Sequence, residues 1–164
     1  MLQYTKIRNV KDPHVGSVGS AGIDFYIPLD CEEPIVCLPN EIVKIPLGIK
    51  VILPKNYVMI MQDKSGVANK LGLHSVAGVI DSDYRGEVHA CFLNATDKPV
   101  LLHCGDKIVQ GVIVKYINDV KQLNNEEYEN ESKIWGVSSR GTKGFGLGTN
   151  STYAVSDRNA DSTL

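Results

Sequence analysis

The stretch PIVCLPNEIVKIPLGIKVILP, residues 34–54, decides the fold class. It divides into three apolar pieces, IVCL, EIVKI and LGIKVIL, punctuated by Pro39, Asn40, Pro46 and Gly48. Pieces this short, rich in Val and Ile, cannot build amphipathic helices, whereas β-branched side chains pack well on a pleated surface. The rhythm continues outward. Downstream lie Tyr57–Met61, Gly78–Ile80, Glu87–Leu93, Val100–His103 and Lys107–Ile117, each bounded by turn residues. Upstream, residues 2–8 alternate weakly, and a glycine-rich link, Asp12–Gly22, leads into the β-type run Ile23–Leu29. Many short strands with regular punctuation predict an all-β sandwich, jelly roll or barrel. A single short helix is expected at Ser65–Leu71, with Ser65 as its cap.

Composition narrows the class of function. A chain of 164 residues with 43% hydrophobic content can bury one core without staples. Its formal net charge of −2 gives no global field for a polyanion, so direct nucleic-acid binding is not expected, while a small anion could still be held locally. The cysteines, Cys31, Cys37, Cys91 and Cys104, form no Cys-x-x-Cys pair; three of them sit in apolar, strand-like surroundings, which reads as reduced core cysteine in a cytosol-like compartment rather than as a zinc site. MLQYTKIRNV has no apolar core of signal-peptide length and no run approaches membrane-spanning length, so a soluble intracellular protein, cytoplasmic, with nucleus or viral origin left open, is the expectation.

Chemistry-bearing residues are scattered. In VAGVIDSDYRGEV, residues 76–88, an apolar run meets Asp81, Asp83, Tyr84 and Arg85; by itself this is a strand ending in a solvated turn. Asp24 interrupts a β-type run, either as a turn residue after Gly22 or as a carboxylate at a sheet end. At the start of the helical candidate, the amides of Ser65, Gly66 and Val67 could face an anion, with Lys64 beside them. Residues 118–133 are polar and acidic and read as a surface loop; this loop and the tail after Asn150 are where a protein partner could dock. RGTKGFGLG, residues 140–148, surrounds Phe145 with four glycines and reads either as a glycine-rich tail or as a mobile lid. Residues 150–164 lack apolar periodicity and are expected to be disordered.

Taken in order, AGIDF (21–25), DKSGVA (63–68), GVIDSDYRG (78–86), GDKIVQ (105–110) and RGTKGFG (140–146) resemble the five motifs of the trimeric dUTPases. The resemblance runs from residue 21 to about 149. It implies a jelly-roll-like, distorted β-barrel subunit, a homotrimer with sites between subunits, and hydrolysis of dUTP to dUMP and pyrophosphate. One β domain, residues 1–139 including the acidic loop, would then precede a lid at 140–149 and a tail at 150–164. Asp81 matches the aspartate that activates water, a role a carboxylate can serve as general base. Tyr84 matches the tyrosine under the deoxyribose, which leaves no room for a 2′-hydroxyl. Asp24 matches a carboxylate that holds Mg2+ through water. Lys64, Ser65 and Gly66 match the phosphate grip, and Gln110 a glutamine near the α-phosphate. Arg140, Phe145 and Gly146 match the lid over γ-phosphate and uracil, and the segment around Ser75, Gly78, Val79 and Ile80 matches the one that reads the base by its backbone.

Three departures stand out. Lys64 replaces the family's usual arginine, a point charge for a planar fork; Asp63 replaces a common proline; and Leu147-Gly148-Thr149 stands where Ser-Thr-Gly is usual. Ser75 occupies a position where some members carry asparagine. Two rivals are a dCTP deaminase of the same fold and a non-catalytic, nucleotide-sensing interaction module. Against the first, Cys91 stands where that branch carries a water-activating glutamate, and Ser82-Asp83-Tyr84 stands where it usually has an aromatic residue with Pro-Gly. Against the second, Asp81, Tyr84 and Gln110 are intact.

Overall fold

Apolar pieces of this length, stopped by Pro, Gly and Asn, pair into small antiparallel sheets. The computed structural model describes residues 1–32 and 34–136, and within them the chain forms twelve strands. The strands are β1 (Gln3–Lys6), β2 (His14–Val15), β3 (Gly22–Tyr26), β4 (Ile35–Cys37), β5 (Ile42–Pro46) and β6 (Ile49–Ile52). They continue as β7 (Tyr57–Asp63), β8 (Leu73–Ser75), β9 (Val79–Ile80), β10 (His89–Asn94), β11 (Val100–Leu102) and β12 (Lys107–Lys115). One sheet has the order β2-β3-β12-β7-β9, a second β5-β10-β8, and two strand pairs, β1-β6 and β11-β4, complete the set. This is the all-β architecture expected. The sequence reading overlooks β2, hidden in the glycine-rich link, and β8.

The core lies between the inner faces. Phe25 and Val109 of the large sheet pair across β3 and β12, and both are buried together with Ile45, Leu47, Met59, Leu73 and Phe92. Gly111 in β12 has a packing reason: a Cβ there would come within 2.7 Å of Met59 Sδ and 2.9 Å of a Phe25 ring carbon. Burying large side chains of this kind stabilises by about 1.5–3 kcal/mol each. The buried polar exceptions are Asp24 and Asn94. Asn94 is fully bonded: its amide donates to the carbonyls of Cys37 and Lys98, each at 2.8 Å, and its oxygen accepts from the amide and hydroxyl of Thr96.

Two expectations need correction. Cys31 and Cys104 are joined in a disulfide with 5.8 Å between their Cα atoms, whereas Cys37 and Cys91 are free thiols as expected. Cys31 follows β3 and Cys104 precedes β12; the antiparallel pairing of these strands brings the two cysteines together across 73 residues, which spacing alone could not reveal. The second correction concerns the acidic segment, residues 118–133, which is not simply a loop.

The chain divides into two compact units, Met1–Asn118 and Asp119–Leu164. In the second, α1 runs Asn125–Trp135. Asn124 accepts from the Glu127 amide at 2.9 Å and Glu127 accepts from the Asn124 amide at 2.9 Å, a reciprocal cap. Glu126 and Glu127 stand in its first turn and Lys133 in its last, matching the helix dipole, and none of its residues is buried. Among the described residues no helix is long and apolar enough to cross a membrane. The proposed lid residues Arg140, Phe145 and Gly146 lie outside the described residues.

Candidate active site

Asp24 sits in the middle of β3, opposite Gln110 of β12, and Gln110 in turn faces Gln62 of β7, so the three share one row across the sheet. Asp24 is only 5% exposed. Its two carboxylate oxygens hold two lysines: Lys64 Nζ on Oδ1, and Lys107 Nζ on Oδ2 at 2.9 Å. Burial works against the charge on Asp24, but hydrogen bonds and charge from Lys64 and Lys107 outweigh it and keep the carboxyl below the usual carboxylate range. Reciprocally, the hydrogen bond to Asp24 raises Lys107.

Lys107 is unassigned in the sequence reading, and the reason is local. Strict strand alternation puts residues 107 and 110 on opposite faces. The register shifts between Lys107 and Val109, a β-bulge, so Lys107 faces Tyr26 and Gln110 faces Asp24, on the same side of β3. No pattern of apolar residues announces that extra residue.

Gln110 is pinned at both ends of its amide. Nε2 donates to the Asp63 carbonyl at 2.8 Å, and Oε1 lies over Gly22, where a Cβ would be 2.2 Å away. After Asp63 the chain enters the expected helical turn at 65–71, whose Val67–Leu71 part is wound wider than an α-helix. Ser65 does not cap it. Gly66 occupies the cap position without a side-chain bond, and the amides of Val67 and Ala68 both donate to the Lys64 carbonyl at 2.9 Å. The Val67 amide is therefore already engaged, leaving Ser65 and Gly66 for any anion.

The segment from Ser75 to Ile80 crosses between sheets. Ser75 belongs to β8, opposite Phe92 of β10, whereas Val79 and Ile80 form β9 against Ile60 and Met59 of β7. Ala77 takes φ +78°, uncommon for a residue with a Cβ, and Gly78 takes φ +149° with its carbonyl accepting from the Met61 amide at 2.8 Å. A Cβ on Gly78 would come within 2.9 Å of Met61 Cβ. The crossing leaves a cleft of 290 Å³ bordered by Gln62, Asp63, Ser75, Gly78 and Val79. The Ile80 side chain is buried, so only its backbone can face a ligand.

Beyond β9, Asp81 is exposed at the edge of a larger cleft of 680 Å³ whose apolar floor is Val58, Ile60 and Val79. The Tyr84 hydroxyl donates to the Glu87 carbonyl at 2.8 Å, and its ring covers Gly86, where a Cβ would lie 2.4 Å from the phenol oxygen. Arg85 Nη1 donates to the carbonyls of Ser82 and Tyr84, at 2.9 and 2.8 Å, and so holds the turn. Lys64 is thus bonded to Asp24, while Gln110, opposite Asp24 in the strand pair, bonds the carbonyl of Asp63, the residue before Lys64. Among the described residues, no hydrogen bond or ion pair joins Asp81 or Tyr84 to that group.

A family model described as dUTPase matches residues 8–147, most of the chain. The chain belongs to the dUTPase family. Among curated dUTPases, it is 34% identical over 148 residues to the deoxyuridine 5'-triphosphate nucleotidohydrolase of Wolbachia sp. subsp. Brugia malayi, covering 85% of this chain and 94% of the relative. It is 35% identical over 136 residues to the enzyme of the same name from Bartonella henselae, covering 82% of this chain and 73% of that one. Among solved structures, the Staphylococcus bacteriophage 80alpha dUTPase with dUPNHPP superposes with a TM-score of 0.73 at 25% identity, covering 88% of this chain and 96% of the phage chain. Shared topology with that dUTPase makes the fold a β jelly roll.

For a dUTPase the donor set at Asp24 is informative. Among the described residues no three His, Cys, Asp or Glu side chains gather as a metal cage. Both oxygens of the buried Asp24 carboxylate are already bonded to ammonium groups, so Asp24 has no free position for direct ligation, and any contact with Mg2+ would have to pass through water.

Proposed function

We propose that the chain hydrolyses dUTP to dUMP and pyrophosphate. The observation that carries this reading is the dUTPase match over residues 8–147 together with the ion pair of Lys64 with Asp24 and the bond of Gln110 to the Asp63 carbonyl, which join residues of three separate motifs. The same reaction would limit uracil incorporation into DNA and supply dUMP for thymidylate synthesis.

The proposed division of labour follows the chemistry. In-line attack on the α-phosphorus needs a base for water, and exposed Asp81, at the mouth of the 680 Å³ cleft, is that base. Tyr84 presents its ring to the deoxyribose. Ser75 and the backbone of Gly78, Val79 and Ile80 face the uracil ring in the 290 Å³ cleft, which is near the lower size of small-molecule sites, about 300 Å³. Lys64, Ser65, Gly66 and Gln110 orient phosphate oxygens; Arg140, Phe145 and Gly146 close over the nucleotide. Mg2+, held by Asp24 through water, would neutralise charge on the phosphates.

The active form is proposed as a homotrimer. Support comes from the separation within one chain of Asp81 and Tyr84 from the Asp24 group, which a neighbouring copy would complete, and from apolar residues left exposed on a single subunit, such as Val36 opposite Leu101. A role in nucleotide metabolism supports work inside the cell, with the cytoplasm as the proposed compartment and nucleus or viral origin left open, while the Cys31–Cys104 disulfide removes the reduced-cysteine argument for it. Release of pyrophosphate from dUTP, UTP, dCTP and dTTP tests the reading. Selective turnover of dUTP is expected; no turnover of dUTP with magnesium present, or ammonia release from dCTP, overturns it.

A further inference from the structure

We propose that Asp63 is a positioning residue that locks the base cleft to the phosphate-binding group and thereby sets discrimination between pyrimidine bases; this rests on the dUTP reading above. Asp63 ends β7 and pairs with Val109, so its side chain lies on the core side of the large sheet and reaches across to β8 of the second sheet. Three of its oxygens are engaged. Oδ1 accepts from the Ser75 amide at 2.6 Å, Oδ2 lies 3.2 Å from His74 Nδ1, and the carbonyl accepts from Gln110 Nε2 at 2.8 Å. The next residue, Lys64, is bonded to Asp24. One residue therefore joins the strand bearing Ser75 to both Gln110 and the lysine of the phosphate grip.

The bond to the Ser75 amide matters because of what Ser75 presents. Its hydroxyl is buried beside the Asp63 carboxylate, which so holds both the amide and the side chain of Ser75. Held by Asp63, Ser75 borders the cleft beside Gly78 and Val79, so the bond fixes the wall against which a planar base would lie. Asp63 cannot touch the scissile phosphate through this bond, so its effect is on where the base sits. A proline at this position, with no side-chain acceptor, could not make the link.

The test compares Asp63→Ala, Asp63→Asn and Asp63→Glu in the full chain. It measures kcat and KM for dUTP and dCTP, calorimetric binding of dUMP, and thermal unfolding. Asn keeps an acceptor at the right reach, whereas Glu keeps the charge but moves the acceptor. The expected result for Asp63→Ala is a rise of about ten-fold or more in KM for dUTP and in Kd for dUMP, kcat changed by less than about three-fold, and a reduced preference for dUTP over dCTP. Asp63→Asn should recover most of the loss and bind dUMP more tightly than Asp63→Glu. Unchanged KM, Kd and preference in Asp63→Ala overturn the proposal. So do equal losses on dUTP and dCTP without recovery in Asn, which would mark a merely structural residue. Should Asp63→Ala fail to fold, the order of Asn and Glu in dUMP binding decides, and tighter binding by Glu overturns the proposal. Wild-type turnover of dUTP with base preference untouched by these variants sinks this inference alone. A wild-type chain that neither turns over dUTP nor binds dUMP sinks the functional reading and this inference with it.

Discussion

Gln110 lies folded over Gly22, so close that a single methyl group at position 22 would stand 2.2 Å from its amide oxygen. The obstructing atom is the far end of a flexible side chain, so a methyl there would push the Gln110 amide away from the Asp63 carbonyl rather than break β3. Gly22→Ala is therefore expected to fold, with only a small drop in Tm, and to lose about ten- to a hundred-fold in kcat/KM for dUTP. Steady-state kinetics beside thermal melts check this. The double variant Gly22→Ala/Gln110→Ala should be little worse than either single one, because both remove the same contact.

Asp24 predicts a pH dependence of stability. Its carboxyl is held below the usual range in the folded chain, so the unfolded chain binds a proton at higher pH than the folded one. The resulting stabilisation is fully present above the ordinary carboxylate pKa and is lost as pH falls through the lowered folded value. Asp24→Asn should accordingly be less stable than wild type at neutral pH, since Lys64 and Lys107 lose their counter-charge. The gap should be complete above about pH 5 and shrink below about pH 4. Urea unfolding of both proteins across that range measures it; a gap that widened in acid would contradict the ion-pair account.

Asp81→Asn tests the proposed base without disturbing the fold, because Asp81 is exposed and its carbonyl, not its side chain, accepts from the Tyr84 amide at 3.1 Å. The expected result is near-normal binding of a non-hydrolysable dUTP analogue and a fall in kcat of about 10²–10⁴. Full activity in this variant would move the base elsewhere.

The disulfide predicts a reductant-sensitive stability. Closing a loop across 73 residues removes much of the unfolded chain's freedom. Cys31→Ser/Cys104→Ser, or the wild type under reducing conditions, should lose about 2–4 kcal/mol in urea unfolding. The reduced wild type and the double serine variant should match; a difference between them would show that the serine hydroxyls themselves disturb the turn at 103–106.

How far the sequence reaches depends on the kind of interaction. Strands β4 to β7 and β10 to β12 are legible because a run such as Ile49–Ile52, alternating buried and exposed, carries its own period. β8 is not, because Leu-His-Ser is three residues long and owes its strand conformation to β10. The capping pair Asn124 and Glu127 is a helix-start signal in the sequence that the acidic-loop expectation for residues 118–133 leaves out. Site residues such as Asp24 and Gln110 gained meaning from their resemblance to ordered motifs; residue by residue each had an ordinary explanation. Lys107 and Asp63 escaped for opposite reasons. A bulge puts Lys107 on an unexpected face, whereas the bonds of Asp63 to Ser75 and Gln110 join residues distant in the chain that no local pattern links.

The bond between Cys31 and Cys104 also gives the chain a covalent topology. Every strand from β4 to β11 lies inside one closed ring, and with them Asp63, Lys64, Ser75, Asp81 and Tyr84. Asp24 and Gln110 lie outside it, on β3 and β12, the two strands that leave the ring on either side of its closure and pair with each other. A single backbone cut anywhere between residues 32 and 103 would therefore open the ring without releasing a fragment, and the halves of the site would stay tethered until the disulfide itself was reduced.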